Sequence, residues 1–373
     1  MRRPGFQRKL PACTSASPLR MQTSTCSRAF IARLPKAELH LHLEGSLRPE
    51  TLRELCTRKG RSDSAVEQWI AEREKDGYRY GDFGSFIQAF LTVAKIMEAP
   101  EDYALAATRL IEQLGRENVR YAEITISAGV VLWKKQSLEA VFEAVSEAAR
   151  AAGRRTGVGV QWIFDGVRHF GHEHVRQVLQ WAVRFRERGV VAFGIGGDEV
   201  QGPARWFQDV FREAREAGLR ITVHAGETAG PESIRDAVEL LGAERIGHGL
   251  TAAQDANVMA MLRERKIPLE VCPTSNVSTG CIPRIEDHPL PKFIESGLMV
   301  TLNSDDPGMF GTSIEREFQI GAGIFGLAEN SVAQLSENAI RAAFLPEEKK
   351  KSLLDALHAA IAEPVPEPEG NEP

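Results

Sequence analysis

The chain has 373 residues, of which 43% are hydrophobic and 26% are charged, and its formal net charge is −5. These proportions are typical of a globular protein, and no apolar run approaches the roughly 18 residues that span a bilayer. The slightly acidic balance provides no broad basic surface for phosphate backbones. We therefore expect neither a membrane nor a nucleic-acid partner, and the length suits one large α/β barrel or two ordinary domains.

The five cysteines, at positions 13, 26, 56, 272 and 281, are odd in number and lack the CxxC spacing of a thiolate zinc site or a redox pair. This usage indicates structural thiols in a reducing compartment, so we expect a cytoplasmic protein. The oligomeric state is left open.

The two ends differ in composition from the rest of the chain. Residues 1–37 contain eight Lys or Arg and no acidic residue. An organellar transit peptide has this composition, as does an upstream start codon read through in error, with Met21 as the true first residue. The lack of a helical apolar stripe favours the second reading. We expect a disordered leader at 1–33, a single enzyme domain at 34–362 and, because 363–373 is rich in Pro and Glu, a disordered tail.

Between these ends, short runs rich in β-branched residues alternate with longer helical patterns, which is typical of βαβ units and a parallel sheet. The connection at 45–118 is the longest, and apolar residues at 83–97 recur at helical spacing. We expect its helices to cap the mouth of the fold; the alternative is a packed addition without a role in the site. Eight strands in one series predict a (β/α)8 barrel, and they are expected at 37–44, 119–127, 157–165, 190–197, 220–227, 245–250, 268–275 and 299–306.

Conspicuous polar residues sit at the carboxyl ends of these strands, where barrel enzymes keep their active sites. His40 and His42 are two apart on a strand, so both side chains share a face and can reach one metal ion. An HxH pair alone is weak evidence. His224 and His248 end the fifth and sixth strands and Asp305 ends the eighth, and imidazoles with a carboxylate suit zinc. The remaining histidines are expected to be surface or capping residues, namely His169, His172, His174, His288 and His358.

Six segments together resemble the adenosine and adenine deaminases of the metal-dependent amidohydrolase superfamily. The likeness covers roughly residues 34–345, in this order: PKAELHLHLEGSL at 35–47, GIGGDE at 194–199, HAGET at 224–228, RIGHGL at 245–250, EVCPTSN at 270–276 and LNSDDP at 302–307.

The resemblance implies one Zn²⁺ per chain, with a water completing a site made by His40, His42, His224 and Asp305. Zinc lowers the pKa of its water toward about 7, which gives a nucleophile at neutral pH. His248 and Asp305 would then orient that nucleophile and take its proton.

Attack on the purine also requires an acid that protonates the ring nitrogen, and Glu227 is the candidate, since a carboxyl shielded from water keeps its proton near neutral pH. Its alternative role is a carboxylate at a helix start. The resemblance further implies that Asp306 bonds the imidazole edge of the purine, that the backbone of Gly197 reaches the pyrimidine edge, and that His42 contacts substrate. Asp198 and Glu199 are expected to start the next helix or to support the site.

Glu44 departs from the family pattern, because adenosine-specific members carry Asp there to contact the sugar. HLHLEGSL is more similar to the adenine deaminases or to deaminases of adenosines extended at the 5′ carbon, such as aminodeoxyfutalosine. The extra methylene would exclude ribose or grip it differently. Arg168, after the third strand, would meet a substrate carboxylate; the alternative is a surface arginine paired with Asp165 or left in solvent.

The expected function is therefore zinc-dependent hydrolytic removal of the six-amino group of adenosine or an adenosine-like nucleoside, giving ammonia and an inosine-type product. Adenine and aminodeoxyfutalosine are alternative substrates. A two-metal amidohydrolase would use a bridging lysine that no strand end offers, and cytidine-type deaminases need HxE and PCxxC patterns that are absent. A non-catalytic relative is the other alternative, and retention of Glu227 and His248 argues against it.

Overall fold

The computed structural model describes residues 26–60 and 64–363. Eight parallel strands follow one another in chain order, each paired with the next. This confirms the predicted (β/α)8 barrel. The strands are β1 (Lys36–His42), β2 (Val119–Ile126), β3 (Gly159–Val167), β4 (Val190–Gly196), β5 (Arg220–Ala225), β6 (Arg245–His248), β7 (Leu269–Val271) and β8 (Val300–Leu302).

All eight predicted strands exist, and most of them end earlier than expected. The two largest differences lie at 268–275 and 299–306, where β7 ends at Val271 and β8 ends at Leu302. After β7, Pro273 opens a helix. Proline suits this first helical position because its missing N–H has no partner there in any case. The shorter strands place the polar residues that follow them in loops at the barrel mouth rather than inside the sheet.

The barrel closes between its last and first strands. A single bridge pairs Leu41 with Asp305, whose N–H donates to His40 O (3.1 Å) and whose carbonyl accepts from His42 N–H (2.9 Å). The side chain of Asn303 adds two contacts, since its Oδ1 accepts from the N–H groups of Leu39 and His40 at 3.0 and 3.2 Å. The closure therefore joins three of the four predicted metal ligands, His40, His42 and Asp305, through the backbone.

Helices surround the barrel and fill the long first connection. The helices are α1 (Arg28–Arg33), α2 (Pro49–Arg58), α3 (Ser64–Lys75), α4 (Phe83–Ile96), α5 (Pro100–Arg116), α6 (Ala128–Trp133), α7 (Leu138–Thr156), α8 (His172–Phe185), α9 (Gln208–Glu216), α10 (Pro231–Asp236), α11 (Ala256–Glu264), α12 (Pro273–Ser278), α13 (Leu290–Glu295), α14 (Pro307–Phe310), α15 (Ile314–Gly323), α16 (Glu329–Ala342) and α17 (Glu347–Ala362).

The helix predicted at 83–97 is α4, which Asp82 caps by accepting from Ser85 N–H at 2.7 Å. Its inner face carries Phe83, Phe86 and Phe90, which form one side of the cavity at the barrel mouth. The connection therefore covers the mouth, in agreement with the expected capping position.

The expectation of disorder up to residue 33 is wrong for its last part. Residues 28–33 form α1, which Ser27 caps by accepting from Phe30 N–H at 3.1 Å. Phe30 and Ile31 are buried, at 3% and 1% exposure, because they pack against the core. The rest of the proposed leader, 1–25, and the tail from 364 lie outside the described residues. Within the described part of the chain, no helix combines the length and apolar character that a membrane crossing requires.

The interior of the barrel holds a buried charge network beneath its mouth. Arg245 on β6 is 1% exposed and donates to Glu123 Oε2 at 2.6 Å and to Glu270 Oε1. Its guanidinium carbon lies 3.7 Å from the ring centroid of Phe344. A cation between two buried carboxylates compensates their charge, so this network fixes the position of Glu270, which also reaches the site above.

Candidate active site

The four predicted metal ligands come together at the barrel mouth. His40 and His42 lie on β1, His224 on β5 and Asp305 just after β8, and one ligand atom from each lies within 4.8 Å of the others. Asp305 Oδ1 is 3.4 Å from His40 Nε2 and 3.3 Å from His42 Nε2. Residues from three separate parts of the chain thus form one compact donor set.

Hydrogen bonds behind the cluster orient two of the imidazoles. His40 Nδ1 lies 2.9 Å from Glu270 Oε2, and His224 Nδ1 lies 3.2 Å from Ile195 O. Both partners are acceptors, so Nδ1 of each ring is held as a donor and Nε2 is directed toward the cluster. This is the arrangement found around metal-ligating histidines. The Nε2 atom of His40 is buried and has no hydrogen-bond partner among the described residues, as expected of a ligand atom.

The charges of the cluster also suit a cation. Burial favours the neutral form of His42 and lowers its pKa to about 4, and it holds the pKa of His224 well below its ordinary value. Burial works against a charge on His40 too, but the carboxylates of Asp305 and Glu270 outweigh it and raise its pKa to about 10. The two carboxylates therefore favour positive charge at this point. Three nitrogens and one oxygen form a donor set that fits Zn²⁺.

Two residues of the site have backbones in the left-handed region that side chains other than Gly rarely adopt. The φ angles are 62° at His248 and 63° at Asp305. Such conformations cost about 1–3 kcal/mol each and persist where the surrounding structure requires them. Here they turn both side chains toward the cluster: His248 Nε2 is 3.9 Å from Asp305 Oδ2, and Ser275 Oγ donates to that same oxygen at 2.6 Å.

Glu227 lies beside this cluster, as predicted. Its Oε2 is 3.6 Å from His248 Nε2, and the residue is 9% exposed. Burial, reinforced by the charge of Asp305, raises the pKa of Glu227 well above its ordinary value. A carboxyl with a raised pKa keeps its proton to higher pH, which is what a general acid requires.

Glu199 supports the loop that carries Glu227. Its carboxylate accepts from the N–H groups of Gly226 (2.8 Å), Glu227 (2.8 Å) and Thr228 (2.9 Å), and from Ser233 Oγ at 2.5 Å. Three backbone donors on one buried carboxylate fix the position of the loop. This matches the expected supporting role.

The residues predicted to hold the purine also reach the cavity. Asp306 is buried, and its Oδ1 has no hydrogen-bond partner among the described residues. Gly197 has a φ of 90°, and a Cβ there would lie 2.7 Å from His169 Nδ1, so only Gly fits. Sequence reasoning overlooked Gly45, where a Cβ would lie 1.6 Å from Asp306 Oδ1. A side chain at Gly45 would displace Asp306.

The cavity has an empty volume of about 650 Å³, and its two sides differ in polarity. The polar side comes from predicted site residues, namely His42, His224, Glu227, His248, Asp305 and Asp306. The apolar side comes from α4, from α6 and from the end of β3 with the turn that follows it. Its residues are Phe83, Phe86, Ile87, Phe90 and Leu91 on α4, Val130 on α6, Val167 at the end of β3 and Phe170 in the turn.

Glu44 does not take the predicted place in the cavity wall. It is 1% exposed, and both carboxylate oxygens accept from Ser127 N–H, at 3.1 and 3.2 Å. The backbone of the chain after β2 thus holds the longer side chain, while Asp165 on β3 does line the cavity. Burial raises the pKa of both Glu44 and Asp165 to about 7.

Arg168 is not on the surface, contrary to one expectation, and it does not line the cavity, contrary to the other. It is 1% exposed, and its Nη2 donates to His224 O at 2.6 Å. The short turn after β3 directs the guanidinium to the backbone of His224 on β5, so Arg168 supports one of the predicted metal ligands.

Two histidines expected to be surface or capping residues belong to the site region. His169 lines the cavity. His288 is 3% exposed and its Nε2 lies 3.2 Å from Asn276 Oδ1. Both lie in connections that fold back over the barrel mouth, which strand periodicity does not reveal. His172 and His358 are surface residues, paired with Asp209 and Glu337.

A parallel barrel with a compact nitrogen and carboxylate cluster at its carboxyl end, beside a buried glutamic acid of raised pKa, has the features of a hydrolase of the metal-dependent amidohydrolase class. The profile of the adenosine deaminase family matches residues 35–360. The chain belongs to this family and is a hydrolase acting on carbon–nitrogen bonds.

Two relatives illustrate the range of similarity within the family. The chain is 40% identical to an aminodeoxyfutalosine deaminase of Streptomyces avermitilis, over 87% of this chain and 90% of that protein. It is 36% identical to an adenine deaminase of Sinorhizobium fredii, over 88% of this chain and 99% of that protein.

Solved structures show the same fold. The adenine deaminase of Arthrobacter aurescens superposes with a TM-score of 0.83 at 29% identity, covering 88% of this chain and all of that one. An amidohydrolase of Burkholderia ambifaria, solved with bound Zn, gives a TM-score of 0.76 at 26% identity. The match covers 92% of this chain and 98% of that one.

Proposed function

We propose that this protein removes the six-amino group of an adenine ring by zinc-dependent hydrolysis, releasing ammonia. The observation that carries this proposal is the buried carboxyl of Glu227, with its raised pKa, beside the cluster of His40, His42, His224 and Asp305. A general acid facing a nucleophile site is what hydrolysis at an aromatic carbon requires.

The four ligands would hold one Zn²⁺, which when bound lowers the pKa of a coordinated water toward about 7. Glu227 donates its proton to the ring nitrogen beside the attacked carbon, so that the negative charge that attack would place on the ring is neutralised. Asp306, whose buried carboxyl has a pKa well above its ordinary value, donates a hydrogen bond to N7 at the imidazole edge of the purine, and the backbone of Gly197 contacts the pyrimidine edge. Helix α4 covers the cavity and excludes bulk water, which strengthens these interactions.

The substrate we propose is an adenosine extended at its 5′ carbon, of the aminodeoxyfutalosine type. The apolar wall continues outward from Phe170 to Trp133, whose rings stack with centroids 6.0 Å apart. Trp133 is 45% exposed, and Lys95 Nζ lies 5.8 Å from its ring centroid. A planar, anionic group attached to the sugar finds both an aromatic surface and a cation there. The similarity to the Streptomyces enzyme supports the same choice.

Adenine is the second candidate substrate. Glu44, at the position where adenosine-specific members contact the sugar, is held by Ser127 and does not line the cavity. A site that makes no contact with the sugar at this position loses no binding free energy there when the substrate is free adenine. The similarity to adenine deaminases over most of the chain supports this candidate as well.

Ammonia release from purified protein, with kcat/KM measured for aminodeoxyfutalosine, adenine and adenosine, tests the proposal. We expect the extended nucleoside to exceed adenosine by about tenfold, the increment that an aromatic contact provides. Trp133→Ala should remove this advantage and leave adenosine turnover within about twofold.

Trp206→Ala is the matched control, because Trp206 is 59% exposed and does not line the cavity. This variant should leave kcat/KM unchanged for both the extended nucleoside and adenosine. Higher efficiency with adenine would select the second candidate, whereas no ammonia from any of the three substrates would contradict the deaminase proposal itself.

A further inference from the structure

A buried chain of hydrogen bonds runs from the backbone of α13 to His248. Leu290 N–H lies 3.0 Å from His288 Nδ1, His288 Nε2 lies 3.2 Å from Asn276 Oδ1, and Asn276 Nδ2 lies 3.1 Å from His248 Nδ1. The three side chains are 3%, 0% and 1% exposed, in the order His288, Asn276, His248. Water therefore does not compete for these contacts.

The backbone N–H of Leu290 determines which group donates in each of these three hydrogen bonds. An N–H group only donates, so His288 Nδ1 must accept from Leu290 and cannot carry a proton. Burial lowers the pKa of His288 to about 3, which keeps its ring neutral. Its single proton is then on Nε2 and is donated to Asn276 Oδ1.

The side-chain amide of Asn276 in turn determines which nitrogen of His248 carries the proton. With Oδ1 accepting from His288, the Nδ2 group of Asn276 faces His248 and donates to its Nδ1. A proton on that Nδ1 would place two donors against each other in a buried site, where neither would have an acceptor, and this is unfavourable. The proton of His248 is therefore on Nε2, which faces Glu227 Oε2 at 3.6 Å and Asp305 Oδ2 at 3.9 Å.

We propose that Asn276 and His288 are positioning residues that fix the proton of His248 on Nε2. The catalytic consequence rests on the proposed function. His248 donates a hydrogen bond to the attacking oxygen and keeps its own proton, because its other nitrogen already accepts from Asn276. The proton released by the attacking water then passes to the carboxylate of Asp305. The expectation that His248 shares in taking that proton is thereby revised.

Asn276→Asp tests the relay with almost no change in shape. A carboxylate accepts from both neighbours, so the proton of His248 should move to Nδ1 and its lone pair should face Glu227. We expect kcat to fall by about 10²-fold or more, since a catalytic histidine in the wrong tautomer loses most of its activity. KM should stay within about threefold, because Asn276 does not line the cavity.

His288→Gln and His288→Leu separate the relay from packing alone. Glutamine keeps a donor for Asn276 and an acceptor for Leu290, so it should retain activity within about threefold. Leucine removes both groups and should lower kcat by about tenfold. His358→Gln, at an exposed histidine, is the control and should have no effect. Equal kcat losses in the Gln and Leu variants would show a role in packing only and would overturn the proposal.

The tautomer of His248 can be observed directly in the unmodified protein by NMR spectroscopy. Long-range ¹H–¹⁵N spectra of the full chain labelled with ¹⁵N-histidine should show the proton of His248 on Nε2, with its signals assigned through a His248→Gln variant. A proton on Nδ1 would overturn the proposal even if the Asn276 variant fails to fold. This readout does not require turnover, so it is separate from failure of the proposed function, which would appear as absence of ammonia release with the Nε2 proton in place.

Discussion

Glu227→Gln is expected to abolish nearly all turnover while leaving the metal content unchanged. Glutamine has almost the shape of glutamic acid and keeps a hydrogen-bond donor, but it has no proton to transfer to the ring nitrogen. Loss of a general acid costs about 10²- to 10⁴-fold in rate. Glu227 is not one of the four proposed metal ligands, so the zinc content should match that of the wild type. The measurement is kcat together with elemental analysis of the same preparation.

The pH dependence of the wild type provides a second readout of the same residue. Glu227 works in its protonated form and its pKa is raised, so the alkaline limb of the activity profile should fall as pH rises through that pKa, while deprotonation of the attacking water sets the acid limb. Glu232→Gln, at an exposed glutamate of the same loop region, should leave both the rate and the pH profile unchanged. Near-normal turnover in Glu227→Gln would remove this residue as the acid.

Arg245→Met is expected to produce the largest loss of stability. Arg245 lies between the buried carboxylates of Glu123 and Glu270, and its charge outweighs the burial that would otherwise raise the pKa of Glu270. Removing one partner of a buried ion pair costs about 3–5 kcal/mol in the free energy of unfolding, because the remaining charges are uncompensated. Glu270 also orients His40, so metal affinity should fall about 10- to 100-fold. Denaturant unfolding and metal titration measure the two effects.

Arg220→Met is the matched control for this variant. Arg220 pairs with Glu244 at the surface, where an ion pair contributes about 0–1 kcal/mol. If Arg245→Met and Arg220→Met had the same small effect on unfolding, the charge network inside the barrel would not contribute as described.

The parts of the site that the sequence predicts are those attached to strands. His40 and His42 share a face because side chains alternate along a strand, and parallel strands end at one edge of a barrel. The positions of His224 and Asp305 follow from the same two rules. Glu227 was predictable because it follows His224 closely in the chain.

The parts that the sequence did not predict depend on side-chain direction and on loop packing. Glu44 follows β1 directly, yet a hydrogen bond to Ser127, 83 positions away, turns it from the cavity. Arg168 and His288 lie in connections, and their burial follows from how those connections fold over the barrel. Phe30 and Ile31 on α1 are similar, since their burial depends on a docking surface formed by later parts of the chain. Local periodicity contains no signal for such contacts.

Zinc content and turnover, followed in one sample during chelation and after Zn²⁺ is returned, test the central claim most directly. Three imidazoles and one carboxylate that together hold a single ion predict about one zinc per chain, activity that falls in proportion to the zinc removed, and recovery when the ion is restored. Undiminished deamination by the metal-free protein would contradict the account.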